Sequence, residues 1–93
     1  MKTARKYKIS GRVQGVGYRF FAERIAKQIG IAGYVKNCWD GTVEVYGIGN
    51  DVALGEFKRH LLEGPWSARV TGITESHEPV DKDYKTFMIE GGW

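Results

Sequence analysis

The chain contains few of the residues that build covalent frameworks or metal sites. It has one cysteine among 93 residues, so an internal disulfide cannot form. The residue six positions after Cys38 is Glu44, which excludes the Cys-x5-Arg arrangement of cysteine-dependent phosphatases. His60 and His77 lack the short spacing of paired metal ligands and fall in different predicted elements. We therefore expect neither metal catalysis nor a cofactor.

Long apolar runs and a signal-peptide pattern are also missing. Together with the single cysteine, their absence predicts a cytoplasmic protein without a membrane partner. The net charge of +3 is modest, and the basic residues near the start of the chain favour a solvated strand face over a nucleic-acid surface. A content of 42% hydrophobic residues is enough for one core, and no linker, repeat or low-complexity segment appears. We expect a single monomeric domain over residues 1–93, with its core at about 6–90.

Hydrophobic periodicity predicts the elements of this domain. Tyr7, Ile9 and Val13 alternate with polar residues, as in a strand with one buried face. Phe21, Ile25 and Ile29 recur at helical spacing before Gly30, which is typical of a helix C-cap. Further segments are a hairpin of strands at 32–37 and 42–48, a helix at 51–63 capped by Asn50, a strand at 68–77 with a bulge near Gly72, and a short strand at 87–90.

The predicted order is therefore βαββαβ with a short closing strand. Right-handed crossovers would place both helices on one face of an antiparallel sheet. We expect an α+β protein with the ferredoxin-like two-layer sandwich. Because this fold serves many functions, the chemistry has to be inferred from a site.

A glycine-rich turn between the first strand and the first helix is the main candidate site. It runs Gln14-Gly15-Val16-Gly17-Tyr18-Arg19. Glycines allow successive backbone N–H groups to turn inward, the helix N-terminus adds unpaired donors, and Arg19 can close over an anion. The favoured ligand is a phosphate or a carboxylate. An ordinary glycine-rich connection with a solvated or ion-paired arginine remains the alternative on these residues alone.

The second candidate segment is the hairpin around Asp40 and Gly41. An Asp-Gly pair between two β-branched or aromatic runs predicts a tight turn, which leaves Asn37 at the rim of the sheet. The amide of Asn37 offers a donor and an acceptor without a charge that would repel an anion. A turn-forming role is its alternative. Tyr18 and Trp39 are expected either to line the pocket mouth or to pack structurally.

The two segments together resemble the acylphosphatase family. Its patterns are hydrophobic-x-Gly-x-Val-Gln-Gly-Val-x-Phe-Arg and Gly-aromatic-Val-basic-Asn-x-x-x-Gly-x-Val. The matching positions are Ile9, Gly11, Val13 to Val16 and Arg19, then Gly33 to Asn37, Gly41 and Val43. Tyr18 departs from the usual phenylalanine or methionine but keeps an aromatic ring. The resemblance covers nearly the whole chain and is weakest at residues 75–85.

The resemblance implies an enzyme that hydrolyses acyl phosphates without a metal. Residues 14–19 would hold the phosphate, Arg19 would contact it, and Asn37 would orient the attacking water, with a phosphate oxygen of the substrate accepting the proton. Inorganic phosphate or sulfate would act as an inhibitor. Two alternatives belong to other classes. One is a non-catalytic anion-binding or accessory domain, and the other is an RNA-binding module, for which residues 42–48 lack the expected aromatic pattern and carry Glu44.

Overall fold

Five strands and two helices follow one another in the order that the periodicities predict. The computed structural model describes residues 1–91, so the last two residues of the predicted domain lie outside the described part. The elements are β1 (Thr3–Arg12), α1 (Tyr18–Ile29), β2 (Ala32–Asn37), β3 (Val43–Gly49), α2 (Asp51–Glu63), β4 (Arg69–Glu78) and β5 (Phe87–Ile89). Neither α1 nor α2, the helices of residues 1–91, is long and apolar enough to cross a membrane.

The sheet has the strand order β4-β1-β3-β2-β5. The first four strands pair antiparallel, as predicted, whereas β5 lies parallel to β2 and makes the sheet mixed. The connection explains this difference. β4 finishes at the end of the sheet where β1 begins, and residues 79–86 then carry the chain to the opposite edge. From there β5 has to run opposite to β4, which is the direction of β2.

The main core lies between the sheet and the two helices. Tyr7, Ile9 and Val13 of the first predicted strand face are fully buried in it. Val70 and Ile73 of β4 both pack against this core, although their sequence parity differs. The register shift between Ser10 and Gly11, which leaves Thr71 unpaired, makes this possible and confirms the predicted bulge.

Local signals at the helix ends are confirmed as well. Gly30 ends α1 in the left-handed conformation, and its N–H donates to the carbonyl of Ala26. Asn50 caps α2, since its Oδ1 accepts from the N–H of Ala53 at 2.7 Å. Gly30 thus marks the end of α1 and Asn50 the start of α2, while α1 itself begins at Tyr18, directly after Gly17.

Candidate active site

A pocket of about 230 Å³ opens where β1 and β2 both reach their C-terminal ends. The turn between β1 and α1 forms one side of it, and the end of β2 forms the other. Its lining residues are Val13, Gly15, Gly17, Tyr18, Arg19, Phe20 and Asn37. The structure thus brings together Arg19 and Asn37, which the sequence places in separate segments.

Gly15 and Gly17 give the turn its shape. Their φ angles are 73° and 79°, in the left-handed region. A Cβ at either position would meet no atom within 4 Å, so the requirement for glycine is one of backbone conformation and not of space. A side chain there costs roughly 1 kcal/mol in strain. This conformation is the one that allows consecutive amides of a turn to face a common ligand.

The amides of this turn are available to a ligand. Gly17 occupies the N-cap position of α1 without a side-chain cap, and the first helical bond runs from the Phe21 N–H to the Gly17 carbonyl. The N–H groups of the first helical turn therefore lack helical partners. Over residues 1–91, no amide of residues 15–20 donates a hydrogen bond to a described acceptor. The turn and the helix terminus together favour a bound anion.

Side chains outside the pocket hold the turn in place. The side-chain amide of Gln14 donates to the carbonyls of Cys38 and Thr42, both at 2.9 Å. Ser67 donates from its hydroxyl to the Val16 carbonyl at 2.8 Å. Gln14 and Val16 were predicted as part of the phosphate loop, and their side chains do not line the pocket. Gln14 instead ties the loop to the hairpin that carries Asn37. Ser67 was missed by the sequence analysis, because it lies outside both motifs.

The open question about Tyr18 has a structural answer. Its side chain is 1% exposed, and its hydroxyl donates to the Leu61 carbonyl of α2 at 2.5 Å. Burial raises the pKa of this hydroxyl. Tyr18 is therefore a core side chain that joins the two helices. Trp39 is 82% exposed and lines an adjoining pocket of about 320 Å³, which also contains Asn37.

Arg19, the second residue of α1, is half-buried in the pocket wall. No carboxylate of residues 1–91 lies within ion-pair distance of its guanidinium. A surface ion pair, the alternative role considered from the sequence, thus has no partner in the described part of the chain. An arginine at a helix N-terminus without such a partner is suited to bind an oxyanion through two parallel N–H bonds.

Asn37 is the last residue of β2 and pairs with Val43 across the hairpin. Its side-chain oxygen Oδ1 is buried and accepts no hydrogen bond from any described residue. Leaving a buried acceptor unpaired costs about 1–3 kcal/mol, so such groups in native proteins bind water or a ligand. The side-chain oxygen of Asn37 thus lacks a donor among the described residues, and Asn37 itself lines the pocket beside the turn.

The hairpin turn that follows Asn37 is tightly bonded. The Gly41 N–H donates to the Cys38 carbonyl at 3.2 Å, and the Cys38 N–H donates to the Thr42 carbonyl at 2.9 Å. The Asp40 carboxylate accepts from the Thr42 hydroxyl at 2.6 Å and from its N–H at 3.1 Å. These bonds lower the pKa of Asp40 to about 2. The turn thereby fixes the end of β2 and with it the position of Asn37.

Over residues 1–91, no group of three or more histidine, cysteine, aspartate or glutamate side chains is arranged to hold a metal ion.

Comparisons with known proteins agree in family and fold. The family model described as Acylphosphatase matches residues 5–89. A relative from Solibacter usitatus, named acylphosphatase, is 46% identical over 92% of this chain and 88% of its own length. The crystal structure of acylphosphatase from Bacillus subtilis superimposes with a TM-score of 0.90 at 33% identity, covering 97% of this chain and 99% of the other. The full-length HypF structure contains a similar unit, with a TM-score of 0.87 and 30% identity, over 12% of its chain.

Proposed function

The chain belongs to the acylphosphatase family and is an acyl phosphate hydrolase, and we propose that it acts through a phosphate held by residues 15–20 and a water oriented by Asn37. One observation carries this mechanism: the pocket that is lined by the turn and Arg19 is also lined by Asn37, whose side-chain oxygen has no donor among the described residues. Donors for a phosphate and an acceptor for a water are thus present side by side.

The phosphoryl group binds first in this mechanism. Its oxygens accept hydrogen bonds from the backbone N–H groups of the turn and of the first turn of α1. The guanidinium of Arg19 adds two parallel charged bonds. These groups neutralise charge that spreads over the phosphoryl oxygens in the transition state. Since Gln14 and Ser67 fix the turn, little reorganisation is needed when the substrate arrives.

The water then attacks phosphorus in line with the leaving carboxylate. It donates one hydrogen bond to the Asn37 oxygen, which directs its lone pair towards phosphorus. A bond forms between the water oxygen and phosphorus, and the bond between phosphorus and the acyl oxygen breaks. The carboxylate leaves with the electron pair, and the water's proton passes to a phosphoryl oxygen. The products are a carboxylate and inorganic phosphate. A carboxylate is already a good leaving group, since its conjugate acid has a pKa near ~4, so no general acid is required.

The alternative functions receive less support. An RNA-binding surface would need free basic residues, and three basic residues of β1 are engaged with carboxylates: Arg5 with Asp51 and Glu75, Lys6 with Glu78, and Lys8 with Asp40. The full-length HypF structure contains a similar unit within a much longer chain, and turnover distinguishes an enzyme from an accessory module. We further propose that the protein acts as a cytoplasmic monomer, and that phosphate or sulfate inhibits it by occupying the turn.

Hydrolysis assays test the proposal directly. The protein is expected to hydrolyse acetyl phosphate and benzoyl phosphate in the presence of EDTA and to act poorly on p-nitrophenyl phosphate, an ordinary monoester. Loss of activity on chelation would contradict the metal-free mechanism. Equal rates on phosphate esters and acyl phosphates would show that the enzyme does not depend on the good carboxylate leaving group of its substrate.

Arg19 variants test the phosphate contact. Arg19→Ala should lower kcat and weaken inhibition by phosphate, because its contacts exist in the ground state and strengthen in the transition state. Arg19→Lys should restore little, since an ammonium lacks the planar pair of donors. Arg59→Ala, an exposed arginine on α2, is the matched control and should leave both parameters unchanged. Near-parental turnover of Arg19→Lys would mean that only the charge is needed.

A further inference from the structure

Phe20 is a large apolar residue on the exposed side of α1. The buried face of α1 consists of Tyr18, Ala22, Ile25 and Ala26. Phe20 lies about 200° around the helix from Tyr18 and is 70% exposed. Burying a phenylalanine contributes roughly 1.5–3 kcal/mol, which Phe20 largely forgoes in the free protein. Its ring therefore has an unused capacity for apolar contact.

Phe20 also lines the site pocket. Other large apolar side chains are exposed on this protein, but among residues 1–91 only Phe20 is both exposed and part of the pocket that contains Arg19 and Asn37. Its backbone lies in the first turn of α1, whose amides are proposed above to bind the phosphate. The ring is therefore next to the proposed position of the phosphoryl group, to which the acyl group of the substrate is attached.

We propose that Phe20 forms the acyl-group subsite and gives the enzyme a preference for flat, apolar acyl phosphates. This inference rests on the proposed function. In-line attack places the leaving group on the side of phosphorus opposite the water. The proposed mechanism places the water at Asn37, so the acyl group leaves on the side of phosphorus away from Asn37. Among residues 1–91, Phe20 is the exposed large apolar side chain that lines this pocket. An aromatic acyl group packs on this ring, and a methyl group covers little of it.

The test compares benzoyl phosphate with acetyl phosphate for the parent and for Phe20→Ala. The ratio of kcat/KM for the two substrates should fall about three- to tenfold in the variant, the range that one aromatic contact supplies. The change should appear mainly in KM, because the contact lies away from the reacting atoms and exists before and during the reaction. Phe20→Tyr keeps the ring and should keep the ratio. Trp66→Ala removes a ring that is 97% exposed elsewhere and should leave both substrates unaffected.

The possible results distinguish a failure of the Phe20 subsite from a failure of the proposed hydrolase function. An unchanged ratio in Phe20→Ala, with hydrolysis of both substrates intact, would overturn the subsite and leave the proposed mechanism standing. A fall of the ratio in Trp39→Ala instead would place the acyl group on the hairpin side and also overturn it. A parent protein that hydrolyses neither compound would refute the function and the subsite together. Unfolding temperatures of the variants should match the parent, since Phe20 packs against little.

Discussion

Replacing Asn37 by alanine should reduce catalysis without reducing stability. Its Oδ1 is buried and has no donor among the described residues. An unsatisfied buried acceptor costs about 1–3 kcal/mol, and a bound water recovers part of that amount. Alanine removes the acceptor and also some packing of a half-buried side chain, worth up to roughly 1 kcal/mol. The two effects nearly cancel, so the free energy of unfolding should stay the same or rise by about 1 kcal/mol.

The catalytic effect of the same change should be large. Orienting the water matters chiefly in the transition state, and losing one oriented hydrogen bond there costs about 3 kcal/mol, or roughly a hundredfold in kcat. In the proposed mechanism inorganic phosphate is bound by the turn and by Arg19, so its binding should survive the change. We therefore expect kcat to fall by about two orders of magnitude while the inhibition constant for phosphate changes little.

Denaturant unfolding, steady-state kinetics and phosphate inhibition measure the three quantities. The matched control is Asn50→Ala, because the Oδ1 of Asn50 is bonded to the Ala53 N–H at 2.7 Å. Losing this cap should cost about 1 kcal/mol of stability and leave kcat unchanged, the opposite pattern. If Asn37→Ala were markedly destabilised, its amide would be structural. If phosphate no longer inhibited the folded variant, Asn37 would bind the ligand and not the water.

Three further outcomes are expected. Tyr18→Phe leaves the buried Leu61 carbonyl without its donor and should lower stability by about 1–2 kcal/mol, or roughly 5–15 °C in Tm, with kcat retained; an unchanged Tm would contradict the helix link. The pKa of Asp40 is lowered to about 2, so its stabilising effect is present above its unfolded pKa of about 4 and is lost as the pH falls through 2. Acid titration by circular dichroism should therefore show a smaller loss of stability between pH 4 and 2 in Asp40→Ala than in the parent. Cys38→Ala should keep most of its turnover, and a folded but inactive variant would indicate a covalent intermediate.

The elements of this fold could be predicted because their signals are local. The alternation of Tyr7, Ile9 and Val13, or the cap at Asn50, depends on residues a few positions apart. The direction of β5 could not be predicted in the same way. It depends on how residues 79–86 cross the sheet, and that segment has no periodicity. On the outer face of the sheet the Tyr46 hydroxyl bonds to the Pro79 carbonyl and to the Asp81 N–H, contacts that only the folded chain brings together.

The candidate site likewise has a part that the sequence predicts and a part that it does not. Glycine spacing identifies the turn, because a positive φ at Gly15 and Gly17 is a property of the backbone that residue type reveals. The supports of the turn are tertiary contacts. Nothing in the sequence around Gln14 shows that its amide reaches the hairpin, and nothing around Ser67 shows that its hydroxyl reaches Val16. A sequence motif therefore identifies candidate ligand-binding residues more readily than it identifies the residues that keep them in position.

In the proposed mechanism, the unpartnered donors at the pocket explain why an asparagine would suit position 37. The amides of residues 15–20 and the guanidinium of Arg19 offer only donors and positive charge, which is complementary to a phosphoryl dianion. A carboxylate at position 37 would accept from water equally well, but its negative charge would attract the guanidinium of Arg19 in the same pocket and repel the substrate. A neutral amide keeps the acceptor and avoids both effects. Asn37→Asp should accordingly bind phosphate more weakly than Asn37→Ala, although it is the closer replacement in shape. Stronger phosphate inhibition of the aspartate variant would show that charge at this position does not face the anion.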